Sequence, residues 1–584
     1  MARILFGAPY FSYYRNYDSV VRELAARGHQ IHLTADAPET LGGHGLVERL
    51  AAEYPDRVTI GFAPGVDAWR WTPVAAFVRR SLEYVRFLDP YYDEIPKYRY
   101  RGRDRAPRLF VWLFRVPGAN RRALRGIVAA CLSWLERAIP APPALIEFVR
   151  DARPDVVLLA GITTPGAPQL DHMKAAMTLG VPTGMTVWSW DHLSGKAWIR
   201  IAPDRVFVWN PTQRDEALRL HGLPEDCIVV TGAQCYDQWF DRTPSRPRET
   251  FLRAHGLDPA HDLLVYVCSV LVRPAPDEGP FVLEWIRQIR GSSDARLRQA
   301  NILIRPHPER LTEWQGVDFT GLGRVAVAGA NPIDRASRDE YFDSLYHGRA
   351  IVGLVTSAFL EAAVVGRPVF TVMKPEYRLF QMGTPHFRYL LTVEGGLVHT
   401  ADDWPAHIAQ LTQFLDDPAP ALRQLTRFVT AFVRPHGSQT SGTSVFADTV
   451  EGMPALAPAA AVADRSFGQA PGRVVAEGVG MLLRTPLLRL ALMSRADAQL
   501  EEARQVRAAE ERATKARLRR VAQRRSDDDR RTRDDKLRQK AASRQQKAAI
   551  RLHRERARRR HWLKEWTDGV WARVRRGRQR RADV

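Results

Sequence analysis

At 584 residues the chain is too long for one hydrophobic core, and two globular domains with extra material are the natural expectation. Its formal charge of +21 points toward nucleic acid, but residues 501–584 alone hold 30 Lys and Arg against 13 Asp and Glu. The first 500 residues therefore stand at only +4, so the partner of the globular part must be sought in a site and not in bulk charge.

The cysteines, Cys131, Cys227, Cys235 and Cys268, are scattered without metal-ligand or disulfide-framework spacing and fit small buried thiols in a reducing compartment. Met-Ala-Arg-Ile-Leu-Phe-Gly runs straight into a short strand, which is no secretory signal. No stretch reaches the roughly 18–20 apolar residues of a spanning helix, so a cytoplasmic location is expected.

Arg3–Gly7 reads as a strand, Ser19–Arg27 as a helix with Val20, Val21, Leu24 and Ala25 on one face, and Gln30–Thr34 as the next strand, a βαβ opening. Gly7 and the loop that carries Tyr10 fall at the carboxyl end of the first strand, where such folds bind ligands. No Gly-x-Gly-x-x-Gly follows, so no dinucleotide cofactor is expected.

Residues 66–143 break the alternation with a dense aromatic and basic insertion, including Trp69, Trp71, Tyr84, Tyr98, Trp112, Arg79, Arg80, Arg101, Arg103 and Arg105. It reads either as a helical insertion whose aromatics are core, or as a surface for a lipid-linked or polymeric acceptor. Strands Asp155–Ala160, Thr183–Val187, Arg205–Trp209 and Cys227–Thr231, with helices Gln169–Leu179 and Thr212–His221, then complete a first domain over 1–240. Asp191 and His192 follow the second of these strands, and Asp191 serves there either as a cap or turn residue or as a general base.

A polar linker leads into a second α/β domain over 241–450, opened by the strand Leu263–Cys268. Asn301–Ile304 runs into Arg305-Pro306-His307-Pro308, whose prolines hold the loop extended. It presents Arg305, a fork of donors matched to phosphate oxygens, and His307, a donor or acid. Further on, Ala350–Val355 is a continuous apolar strand, Thr356 or Ser357 caps a short helix, Gly366 ends it, and Pro368 delivers Val369–Val372. That helix N-terminus favours a phosphate, and Glu361, one turn on, can accept hydrogen bonds from sugar or ribose hydroxyls. Taken alone this stretch is equally one more βαβ unit; Arg-Pro-His-Pro shifts the balance toward a site.

With both stretches in view the chain resembles glycosyltransferases of the two-Rossmann GT-B architecture, most of all bacterial surface-polysaccharide enzymes and the related CDP-glycerol glycerophosphotransferases. The likeness spans about residues 1–450 and includes Trp190-Asp191-His192-Leu193-Ser194-Gly195-Lys196, Val208-Trp209-Asn210-Pro211-Thr212-Gln213 with Glu216, and Val230-Thr231-Gly232-Ala233 with Asp237. It implies an α/β fold of two Rossmann-like domains, the first binding the acceptor and the second a nucleotide-diphosphate donor. It further implies that Arg305 and His307 contact the diphosphate, Thr356 and Ser357 bind phosphate, and Glu361 binds the ribose or sugar. The departing diphosphate is then stabilised by Arg and a helix dipole, and residues 1–450 contain no Asp-x-Asp to hold a metal. Gly7, Tyr10 and His192 are the acceptor-side candidates, Asp191 and His307 the catalytic ones. The loop after Cys268 is not glycine-rich as the family's is, and offers Ser269 and Arg273 as further donor contacts.

Residues 451–472 read as a Pro/Ala/Gly-rich linker and 473–584 as a tail. Val474–Met493 is amphipathic and suited to lie on a membrane. Ala496–Trp566 is highly charged with few apolar residues for a coiled-coil seam, and is either a solvated helix or a binder of anionic lipid, with nucleic acid disfavoured. The expected function is glycosyl transfer from a nucleotide-sugar to a surface-polysaccharide or lipid-linked acceptor at the inner face of the membrane. Glycerophosphate transfer, a nucleotide-sugar epimerase and a non-catalytic GT-B scaffold are the alternatives.

Overall fold

A computed structural model of the protein describes residues 1–39, 42–66, 69–116, 121–161, 169–271, 275–332, 334–456, 470–485, 494 and 536–575. Seven strands form a first parallel sheet: β1 (Arg3–Ala8), β2 (Gln30–Ala35), β3 (Val58–Phe62), β4 (Val156–Leu159), β5 (Thr183–Thr186), β6 (Arg205–Val208) and β7 (Ile228–Val230), in the order β3-β2-β1-β4-β5-β6-β7. Six more form a second: β8 (Leu263–Val267), β9 (Asn301–Arg305), β10 (Val325–Val327), β11 (Ala350–Val352), β12 (Val369–Val372) and β13 (Val398–Ala401), in the order β10-β9-β8-β11-β12-β13.

Both sheets are doubly wound, and this is the α/β pair of Rossmann-like domains that the resemblance implied. Strand order reverses between β1 and β4 in the first sheet and between β8 and β11 in the second. Ligand crevices open outside the carboxyl ends of strands at such reversals. The central strands are buried on both faces, hence their unbroken apolar runs Val156–Leu159 and Leu263–Val267. The edge strands β3 and β13 escape the sequence reading because their open faces carry Thr59, His399 and Thr400, which interrupt that continuity.

The chain does not end its globular part in the second domain. Helix Gly442–Gly452 packs in the core of the first sheet, where Phe446 stacks on Phe207 at 4.2 Å with Ala447, Val450 and Met453 beside it. Residues 451–456, expected to begin the linker, are therefore held by that core; 457–469 lie outside the described residues.

Helices Thr72–Phe87, Pro96–Arg105, Arg108–Leu113 and Arg122–Ala138 make the insertion. Its aromatics divide: Trp71, Tyr84, Phe87, Tyr92, Tyr98 and Phe114 are core, while Tyr100 and Trp112 are exposed. Arg79, one of the arginines offered for an anionic-binding surface under the second reading of the insertion, is instead 1% exposed and binds Glu136 at 3.0 Å and Asp171 at 3.0 Å. Lys174 reaches the same Glu136 at 2.7 Å, so buried ion pairs tie the insertion to helix Gln169–Thr178 of the first domain. After the linker, helix Ala470–Arg484 lies against the insertion through Ala476, Val479 and Leu483. Of the amphipathic stretch Val474–Met493, residues 486–493 are outside the described set, as is 495–535 of the tail; 536–575 form one exposed helix. Among the described residues no helix is long and apolar enough to cross a membrane.

Candidate functional site

Arg305 is the last residue of β9 and is 5% exposed. Its guanidinium lies 5.1 Å from the centre of the Tyr341 ring and 3.6 Å from Glu340, and Nη1 is buried with no hydrogen-bond partner among the described residues. A β-carbon at Gly329 would come within 2.7 Å of it, so glycine there makes room for the guanidinium. Burial pulls the Arg305 pKa down, and Tyr341 and Glu340 oppose the shift. Burying a cation with spare donors is costly, and an arriving anion would relieve that cost.

Tyr341 connects Arg305 to Glu361, because its hydroxyl donates to Glu361 Oε2. Burial raises the Glu361 pKa, while the Tyr341 hydrogen bond and the Arg15 guanidinium lower it. Two residues singled out in the sequence thus meet through a third that was not. His307 Nδ1 accepts from the Glu309 N–H at 3.2 Å, starting the turn Pro308–Trp314. Burial lowers its pKa, so the ring is neutral near pH 7, and with Nδ1 accepting, the proton sits on Nε2 as a donor. Arg15 lowers the His307 pKa as well. It projects from the Phe11–Asn16 turn after β1, so the first domain adds a cation facing the second domain's loops.

Thr356 Oγ1 accepts from the Ala358 N–H at 3.3 Å, and the exposed Ser357 takes the N-cap position without a side-chain bond. The helix it begins, Ala358–Val364, has only 7 residues, so its dipole is small and the hydroxyls matter more. Ser269 departs from its expected donor role. It is 2% exposed, its hydroxyl accepts from Val355 N–H at 3.1 Å, and its N–H donates to Glu278 at 2.8 Å. It therefore laces the loop after β8 to the loop after β11. Arg273 lies outside the described residues.

On the first-domain side Asp191 occupies the N-cap of the short helix His192–Gly195 but does not cap it. Its Oδ1 accepts from Ser189 at 2.6 Å and its Oδ2 pairs with Lys196 at 3.3 Å. Burial pushes the carboxyl up, yet Lys196, His386 and the Ser189 hydrogen bond outweigh it and hold the group below the usual carboxylate range. His386, at the start of helix Pro385–Thr392 in the second domain, packs its ring 4.7 Å from Trp190. Burial lowers its pKa to about 4, with Asp191 opposing, so it is a neutral imidazole beside an ionised carboxylate. Tyr98 of the insertion approaches His386 Nδ1 at 3.4 Å, and Gly195 admits it, since a β-carbon there would come within 2.4 Å of the Tyr98 hydroxyl. Lys97 sits over the Phe380 ring at 4.6 Å. The insertion is therefore wedged into the cleft between domains.

Two acceptor candidates are placed elsewhere. Gly7 lies inside β1, buried, with Leu159 3.2 Å from where its β-carbon would be, so it is a packing position. His192 is 1% exposed, packed against Gly161 and 5.8 Å from the Trp188 ring, below the surface an acceptor could reach. Tyr10, 41% exposed, stacks on Tyr13, which meets Trp188 edge-on at 5.2 Å.

No protein-family model matches the chain, and no curated protein matches it in sequence. Solved structures do align with it. They include a UDP-GlcNAc 2-epimerase from Neisseria meningitidis bound to UDP-GlcNAc, at 12% identity over 77% of this chain and 99% of that one, TM-score 0.44. A glycosyltransferase from Rickettsia africae aligns at 10% identity over 78% and 97%, TM-score 0.44, and Anabaena HepE in complex with UDP and glucose at 11% over 78% and 100%, TM-score 0.41. The strand orders by themselves give two Rossmann-like sheets, consistent with the GT-B architecture. What that scaffold does in this chain rests on the residues above.

Tyr341, Arg15, His386 and Lys97 were not marked in the sequence, and Tyr98 was marked only as one aromatic of the insertion. These residues sit on turns or helices with no motif around them, and only the pairing of two domains gives them a common site. The signal that existed was His386 next to Pro385 at a helix start, a pattern too common to single out.

Proposed function

We propose that the protein transfers a sugar from a nucleotide-diphosphate donor to a hydroxyl of a polysaccharide or lipid-linked acceptor. The observation that carries this reading is the buried Arg305 guanidinium with an unsatisfied Nη1, joined through Tyr341 to Glu361 at the carboxyl ends of the second sheet's strands. A diphosphate supplies the hydrogen-bond acceptor that Arg305 Nη1 lacks, with His307 Nε2–H, Arg15 and the Thr356 and Ser357 hydroxyls as further donors. Glu361 then accepts from ribose or sugar hydroxyls. As the glycosidic bond to the diphosphate breaks, these donors stabilise the charge that develops on the leaving oxygen.

The acceptor hydroxyl must lose a proton. His386 is neutral and can take it, and the adjacent Asp191 carboxylate stabilises the imidazolium that forms. Asp191 is itself held too low to be a strong base, so its role shifts from the general base expected from sequence to the charge partner of His386.

Calorimetry and thermal shifts with a panel of nucleoside diphosphates and nucleotide-sugars test the reading. A donor at a hundred times its dissociation constant adds about 2.7 kcal/mol of stability. Arg305→Ala should weaken donor binding by about 1.5–3 kcal/mol, roughly 10- to 100-fold. Asp191→Asn and His386→Gln should bind donor normally but turn over about 100- to 10,000-fold more slowly. A shift with CDP-glycerol alone would redirect the reading to glycerophosphate transfer, and no shift with any nucleotide would end it.

A further inference from the structure

Helix Arg122–Ala138 has apolar residues on two faces. Val128, Leu132 and Leu135 pack into the insertion's core, whereas Leu124, Ile127, Cys131 and Trp134, spaced three, four and three apart on another stripe, are all exposed. Ile127 is 61% exposed and Trp134 48%. Helix Ala470–Arg484 lies alongside, since a β-carbon at Gly472 would come within 3.1 Å of the Trp134 ring. It too is apolar outward: Val474 is 70% and Met481 68% exposed. The neighbouring helix Arg108–Leu113 adds Trp112 at 64%. Apolar surface gathered on helices that share one core is unusual for a face bathed in water.

Charge says what covers it. From Arg105 to Leu135 the chain holds six arginines and no Asp or Glu. Arg108, Arg115, Arg121 and Arg122 are exposed and none makes an ion pair with a described residue. Arg103, Arg108 and Arg115, with Ala106, Val111 and Trp112, line a cleft of about 460 Å³. Tryptophan and outward apolar residues beside unpaired arginines fit a headgroup layer, where rings sit at the boundary and guanidinium groups reach lipid phosphates. We propose that this face docks the protein on an anionic phospholipid bilayer, with the Arg103–Arg108–Arg115 cleft taking a lipid phosphate. This surface is distinct from the cleft between the domains and does not rest on the transfer chemistry.

The test uses the full chain, labelled at the exposed Cys131 with an environment-sensitive dye, and vesicles of phosphatidylcholine with or without phosphatidylglycerol. The dye should shift to the blue with phosphatidylglycerol vesicles and not with phosphatidylcholine alone. Ile127→Asp combined with Met481→Asp, both surface changes, should lower unlabelled partitioning about tenfold while leaving nucleotide-induced thermal shifts unchanged. Co-sedimentation without a shift at Cys131, or partitioning unchanged in the double variant, would overturn the proposal and leave membrane binding to the tail. Vesicle-independent self-association that the double variant abolishes would overturn it in favour of a protein partner.

Discussion

Glu216 shows how far a residue's chemistry can depart from its type. Its position after Asn210-Pro211 looks like an ordinary acidic helix residue, yet it is 4% exposed, accepts from Tyr389 at 2.7 Å and has its pKa pushed up by burial to about 8. The folded state keeps this proton over a range, from the ordinary value of 4.5 up to about 8, in which the unfolded chain has released it. Its contribution to stability is therefore whole below 4.5 and lost as pH rises toward 8. His386 and His407 act with the opposite sign, each lowered by burial from 6.5 to about 4, so their contribution is whole above 6.5 and lost as pH falls toward 4. Thermal melts across pH should find Glu216→Gln losing less stability than the parent as pH rises between the two Glu216 values. Equal slopes for the two proteins would show that Glu216 is not the group responsible.

At the scale of elements, the insertion is fastened by charge as well as by aromatic packing. Arg79 serves both Glu136 and Asp171, and burial of the three leaves no water to replace a lost partner. Arg79→Leu should cost about 3–5 kcal/mol in denaturant unfolding, because two buried carboxylates would lose the guanidinium that both bind. A cost below about 1 kcal/mol would mean that the insertion is held by its apolar contacts alone. Through Tyr98 and Lys97 the same insertion reaches His386 and Phe380. Arg79→Leu is thus expected also to lower turnover, and a variant that unfolds more readily but keeps its full rate at low temperature would separate the two effects.

For the globular part as a whole, helix Gly442–Gly452 closes the chain by returning to the first sheet. Phe446→Ala should destabilise the first domain by about 3–5 kcal/mol, read as an earlier transition in thermal unfolding, although the residue follows the second domain in sequence. The tail is another matter: its described residues, 536–575, belong to a unit separate from the globular part, so a chain ending at Ala496 should keep its donor-induced thermal shift. Loss of that shift would tie the tail to the site.

The sequence by itself determined the two doubly wound domains, because central strands buried on both faces must be written as unbroken apolar runs separated by helical periods. It also offered Arg305, His307, Thr356, Ser357 and Glu361 as candidates, since each follows a recognisable strand at the end where such folds bind ligands. Edge strands β3 and β13 were lost to it because Thr59, His399 and Thr400 break their apolar runs. Tertiary structure alone decided that Ser269, His192, Gly7 and Arg79 are buried and that Asp191 lies near His386. Each of these depends on which distant side chain comes to lie within about 4 Å, and so on the meeting of two domains and an insertion, which no local pattern encodes.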